Sequence, residues 1–216
     1  MSASFRPARQ EDGAGRAAAV GEHPSLALEE MTGRLARRER PDILDVGPLC
    51  DQNIQHFLSQ GCRVFIEAAE DLRRFPQRFP PRDEEQTAAE GEPPPPPRIV
   101  LSYPDRHFDA VLLWDVMDYL PEEIAGPVGQ EVRRISRDGA LAYLFSDSRK
   151  GAPPEPLLRF RIQEGRSVAA EPMAGPLLAR CHREIRDLLR LFPSFEVVRS
   201  TLLRSQLREV LLKLRV

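Results

Sequence analysis

The stretch PDILDVGPLCDQNIQHFLSQGCRVFIEA (residues 41–68) reads as strand, turn, helix, strand. Ile43, Leu44 and Val46 form a short apolar run with β-branched members, the pattern of a strand buried on both faces. Asp45 and Gly47 punctuate its end, and Pro48 forbids its continuation. Asp51 or Asn53 can cap a short helix that places Ile54, Phe57 and Leu58 on one face, with Gly61 positioned to end it. Residues 63–66 give a second apolar strand, closed by Glu67. This succession is the half-unit of a doubly wound α/β sheet, in which ligands sit beyond the carboxyl ends of the strands.

Two further blocks extend the pattern. FDAVLLWDVMDYL (residues 108–120) predicts a buried strand over 110–113 and a turn after it, with Trp114 and Asp115 at the strand's carboxyl end. QEVRRISRDGALAYLF (residues 130–145) continues a helix that carries Val128, Val132 and Ile135 on one face. It then turns at Asp138-Gly139 and enters another strand over 140–145. In order and spacing these blocks resemble the class I S-adenosylmethionine-dependent methyltransferases. Such enzymes carry an acid, one residue and a glycine-rich turn after their first strand, and an acid at the end of the second. Asp45, Gly47 and Glu67 match those positions, and the third block resembles the family's EIxRVLKPGGxLxxxF.

The resemblance implies an α/β, Rossmann-like methyltransferase fold: a mostly parallel seven-stranded sheet with an antiparallel last strand and helices on both faces. It implies S-adenosylmethionine as cofactor, held at Asp45, Gly47, Glu67, Trp114 and Asp115, with Glu67 accepting hydrogen bonds from the ribose hydroxyls. Trp114 equally suits packing under the next helix, and Asp115 or Asp118 suits capping it. The chain departs from the family at Leu49 and Asp51, where the pattern has glycine. It departs again at Pro97 and Arg98, just before LSYPD (residues 101–105), where an acid often binds adenine, and at Tyr119, where histidine is frequent. Leu49 must point away from a ligand or narrow its pocket. Asp51 favours the helix start but repels a cofactor carboxylate, while attracting an ammonium or sulfonium.

The 216 residues suffice for one domain with a full core, and a net charge of −2 gives no sign of a nucleic-acid partner. Cys50, Cys62 and Cys181 are odd in number and widely spaced, which argues against a disulfide framework or a metal site and for a reducing compartment. With no apolar run of membrane-spanning length and no apolar leader, the expectation is a cytoplasmic protein without a membrane partner. Residues 1–24 read as a flexible tail and 25–216 as the methyltransferase-like domain. Ser25 is placed to cap a helix with Leu26, Leu28, Met31 and Leu35. Residues 69–79 suggest a short helix, and 82–97 an acidic, then proline-rich insertion acting as a spacer.

From 146 to 176 Pro153, Pro154 and Pro156 and weak periodicity predict loose structure; 177–192 predicts a helix, and 195–203 and 208–214 two strands joined by a tight turn. Methyl transfer needs mainly alignment of the acceptor with an already activated methyl group, so no triad or metal cluster is required. The adjacent Cys181-His182 pair, His56, His107 and Cys50 are each read as packing or solvated residues. The functional expectation is a methyltransferase acting on an undetermined acceptor, a small molecule among the candidates. The alternatives are a non-catalytic binding or scaffold module on the same fold, favoured by Leu49 and Asp51, and a Rossmann-like enzyme using another nucleotide.

Overall fold

A computed structural model describes residues 21–67, 101–164 and 166–215. The expected helix over 69–79 and the 82–97 insertion lie outside the described residues, as does most of the N-terminal tail. The elements run β1 (His23–Pro24), α1 (Leu26–Leu35), β2 (Asp42–Asp45), α2 (Asp51–Ser59), β3 (Arg63–Ile66), β4 (Phe108–Trp114) and a 3-10 turn (Val116–Tyr119). There follow α3 (Glu122–Ile135), β5 (Ser136–Asp147), β6 (Glu155–Gln163), β7 (Ser167–Leu178), α4 (Ile185–Arg190), β8 (Phe195–Leu202) and β9 (Leu207–Leu214).

Six of these strands form one sheet in the order β3-β2-β4-β5-β9-β8. The first four are parallel; β9 runs antiparallel to β5 and to β8, so the last strand is reversed as expected. The expectation of seven strands is corrected to six among the described residues.

Alternate residues of each central strand feed two cores. Leu44, Val111, Leu113, Ala142, Leu144 and Leu212 pack against Val128 and Val132 of α3 and Leu188 of α4. Ile43, Ala110, Leu112, Tyr143 and Leu211 face Leu28, Met31 and Leu35 of α1 and Phe57 of α2. Because β4 is covered on both faces, its seven residues are all buried, which explains the unbroken apolar run. Helix α3 lies so close to the turn after α4 that a Cβ on Gly129 would come within 1.9 Å of the Leu191 carbonyl oxygen.

Ser25 caps α1 by accepting from the Leu28 amide at 2.9 Å, as the sequence predicts. Its hydroxyl also donates to buried Glu209, which accepts from Tyr143 Oη at 2.6 Å. Capping and docking of α1 onto the sheet thus share one atom.

The segment expected to be loose is instead a second sheet of order β1-β7-β6. In β6, buried Phe160 and Ile162 alternate with half-buried Arg159 and Arg161, a period-2 pattern masked by the nearby prolines. Pro172 is tolerated in β7 because β1 pairs with Ser167 and Val168, leaving that flank of β7 without a partner strand further on among the described residues. His23 and Pro24, which the sequence groups with the tail, are that short strand. The helix expected over 177–192 is corrected to six residues of α4, because 177 and 178 complete β7 and 179–184 are irregular.

Candidate active site

The carboxyl ends of β2, β3, β4 and β5 share one edge of the main sheet, and four of the five expected site residues meet there beside the turn after β2. The Glu67 amide donates to the Asp45 carbonyl at 2.8 Å, which sets the ends of β2 and β3 side by side. Asp45 Oδ1 accepts from Gly47 N at 3.1 Å and from Trp114 Nε1 at 2.7 Å. Burial pushes this carboxyl up to about 6, against the pull of those two donors. The Trp114 indole lies on Gly47 itself, where a Cβ would fall 2.1 Å from Cδ1 and 2.7 Å from Nε1. Glycine is therefore required at 47 by the indole's approach. Trp114 has φ +46°, a left-handed conformation uncommon for a bulky side chain, and it stacks on Phe160 of the second sheet with centroids 5.6 Å apart.

Helix α2 begins after Cys50, which makes no side-chain cap, so neither expected cap forms. Asn53 is buried and directed elsewhere: Nδ2 donates to the Phe160 carbonyl at 2.9 Å, and Oδ1 accepts from Ile162 N at 2.8 Å. This amide ties the second sheet to the helix that follows the turn. Leu58, expected on the apolar face with Phe57, is exposed, as are Leu49 and Asp51. Glu67 accepts from Tyr103 Oη at 2.9 Å, so the tyrosine in LSYPD orients the carboxylate at the end of β3.

Asp115 turns away from this group, and neither it nor Asp118 caps α3, whose N-cap is Pro121. Instead Asp115, Asp118 and Asp147 surround Arg180, whose side chain is 5% exposed. Arg180 approaches Asp115 at 3.0 Å, Asp118 at 3.6 Å and Asp147 at 3.9 Å, and lies 4.9 Å over the Tyr119 ring. Tyr119 Oη donates to Asp115 at 3.2 Å; Ser146 Oγ and Asp147 N donate to Asp118 at 2.9 and 2.6 Å. Burial pushes Asp115 up to about 6 and Asp118 up to about 7, with Arg180 opposing both. Burial and the neighbouring Asp115 also raise Tyr119. Asp115 Oδ1 and the three guanidinium nitrogens of Arg180 make no hydrogen bond among the described residues.

Arg180 belongs to the irregular strap 179–184, which crosses this edge. Cys181 N donates to the Asp118 carbonyl at 2.5 Å, and Arg183 reaches the carbonyls of Met117 and Leu120, each at 2.6 Å. Arg180, Asp147 and Asn53 are site residues that the sequence does not announce. The only signal for Arg180 is its place beside Cys181-His182, in a stretch whose periodicity reads as helix. The other candidates lie in packing or surface roles. His56 contacts Gln60, His107 packs among Phe65, Tyr103 and Phe108, and Cys50 is buried at the start of α2. No group suited to a metal ion occurs among the described residues.

No family model and no curated protein matches the sequence. Solved structures do match. An S-adenosylmethionine-dependent methyltransferase from Mesorhizobium loti superposes with a TM-score of 0.52 at 11% identity, over 87% of this chain and 97% of that one. The fold is that of the class I S-adenosylmethionine-dependent methyltransferases. The Burkholderia thailandensis 1,6-didemethyltoxoflavin-N1-methyltransferase, solved with 1,6-didemethyltoxoflavin and S-adenosylhomocysteine, matches at TM-score 0.48 and 17% identity, over 88% of this chain and 77% of that one. A Methanosarcina mazei methyltransferase matches at 0.47 and 16%, over 85% and 96%.

The residues present fit the cofactor of this fold at the strand ends. Glu67, oriented by the Tyr103 hydroxyl at the end of β3, is an acceptor of the kind a diol's donors meet. Asp45 and Trp114 hold the turn between them in one conformation. No helix among the described residues is long and apolar enough to cross a membrane.

Proposed function

We propose that the chain binds S-adenosylmethionine and transfers its methyl group to a small-molecule acceptor. The observation that carries this reading is the pair of adjacent strand ends, Asp45 with its Gly47 turn and Glu67 with its Tyr103 partner, at the carboxyl edge of a methyltransferase-type sheet. The bound cofactor would supply an activated, electrophilic methyl group. The chain's own contribution is position. Glu67 would hold the ribose diol, and Asp45, clamped by the indole and by Gly47 N, would fix the turn over which the rest of the cofactor runs. Phe160 stacked on Trp114, with the second sheet behind it, would keep water from that side.

The test is calorimetric titration with S-adenosylmethionine, and with NAD(H) as the competing nucleotide. Glu67→Gln should weaken S-adenosylmethionine binding roughly ten- to one-hundred-fold, the loss of charge-assisted hydrogen bonds, in a protein that melts like the parent. Absent binding in the parent would instead mark a non-catalytic module on this fold.

A further inference from the structure

A cavity of about 300 Å³ opens beside the carboxyl end of β5, at the lower end of the range for small-molecule sites. Its walls are Ser146 near the end of β5, Ser148 and Lys150 after it, Arg208 at the start of β9, His182–Glu184 of the strap, and Ile185 and Leu188 of α4. Three cations face one carboxylate. Arg183 is committed to two backbone carbonyls and Glu122, and Lys150 pairs with Glu184 at 3.2 Å. Arg208 has only Ser200 Oγ at 3.3 Å and no carboxylate partner among the described residues. The larger opening beside α2 has the reverse character, with Glu22, Asp51 and Glu164 and no lysine or arginine.

Other lining groups narrow the ligand. Both ring nitrogens of His182 are out of reach of solvent and without a partner among the described residues, so this side chain adds bulk to the wall rather than a polar contact. Ser146 spends its proton on Asp118, and Ser148 donates to the Gln206 carbonyl at 2.6 Å. The serines therefore offer lone pairs, which repel a multiply charged phosphate and accept from a hydroxyl or amine. Ile185 and Leu188 supply an apolar wall.

We propose that this cavity binds a small organic carboxylate with an apolar body and a hydroxyl or amino donor, its carboxylate on Arg208 and its donor on the serines. The site does not depend on cofactor binding at the Gly47 turn, so it is tested without cofactor. The full chain is titrated calorimetrically with 4-hydroxybenzoate, benzoate and inorganic phosphate, and the titrations are repeated on Arg208→Gln. The expected order is 4-hydroxybenzoate over benzoate over phosphate, with the 4-hydroxybenzoate affinity falling roughly ten- to one-hundred-fold in Arg208→Gln. If that variant melts well below the parent, Arg208→Lys, which keeps a cation but not the planar fork, replaces it and should weaken binding in the same direction. No heat with either organic acid, an affinity unchanged by the substitution, or phosphate as the tightest ligand would overturn the proposal.

Discussion

The two edges of the main sheet each bury an ionic cluster, and the clusters are built on opposite principles. At the amino edge, Asp42 and Asp109 are shared among Arg38, Arg63 and Arg137, and Asp109 also accepts from Asp42 N at 2.8 Å. Two acids there have three cations, each partly exposed. At the carboxyl edge, Asp115 and Asp118 share one buried guanidinium, while Asp147, 3.9 Å from it, has Arg149 at 2.6 Å, and Asp115 Oδ1 finds no donor among the described residues. The first cluster is redundant and satisfied. In the second, Asp115 and Asp118 have Arg180 alone as cation among the described residues, at the edge where this class of sheet binds ligands.

Removing that residue should therefore have the largest effect. Arg180→Met leaves buried carboxylates uncompensated and should cost about 3–5 kcal/mol at pH 8, measured by denaturant unfolding. The loss should shrink at pH 5, where Asp115 and Asp118 take up protons. Equal losses at both pH values would mean that Arg180 acts by packing alone.

At the amino edge, Asp109→Asn removes the shared acceptor of Arg38 and Arg137. Because those arginines are 33% and 39% exposed, solvent screens part of the loss, and about 2 kcal/mol is expected from the same unfolding measurement.

A third test uses pH. Asp45, Asp115 and Asp118 titrate in the folded state at about 6, 6 and 7, above the 3.8 of an exposed aspartate. Their contribution to stability is full below that lower value and is lost as pH rises through the folded values, so the melting temperature should fall between pH 5 and 8. His23 and His56, lowered by burial, act in the opposite sense around pH 6. Comparison with Asp118→Asn separates the two effects. That variant should lose less stability over the same range, by about 1.4 kcal/mol for every tenfold by which folding raises the proton affinity of Asp118. The smallest effect belongs to Arg63→Gln, whose melting temperature should stay close to the parent's, because solvent screens this guanidinium and Arg137 still reaches Asp42 at 3.1 Å.

The main sheet is legible in the sequence because its strands are continuous apolar runs between turn residues, and those runs arise from coverage on both faces. Asp45, Gly47 and Glu67 are legible because a strand end, a tight turn and an acid are local features. What escapes reading is what depends on distant partners. The alternation in β6 follows directly on Pro153, Pro154 and Pro156, and β7 carries Pro172 and Pro176, so the second sheet looks like loop. Leu178, Ile185, Leu188, Leu189 and Phe192 suggest one helix, but a strap whose two arginines are held by the β4–α3 turn and its neighbours interrupts it. Asn53 looks like a cap because caps are local, whereas its actual partners are more than a hundred residues away.

That asparagine also bears on solubility. Strand β6 is an edge of its sheet, and an uncovered edge of extended backbone invites another chain to add a strand. The side-chain amide of Asn53 takes the outward carbonyl of Phe160 and the outward amide of Ile162, as a neighbouring peptide group would. Helix α2 thus supplies one rung of a ladder that would otherwise be open to intermolecular pairing. The same contact that docks the second sheet guards its margin against self-association.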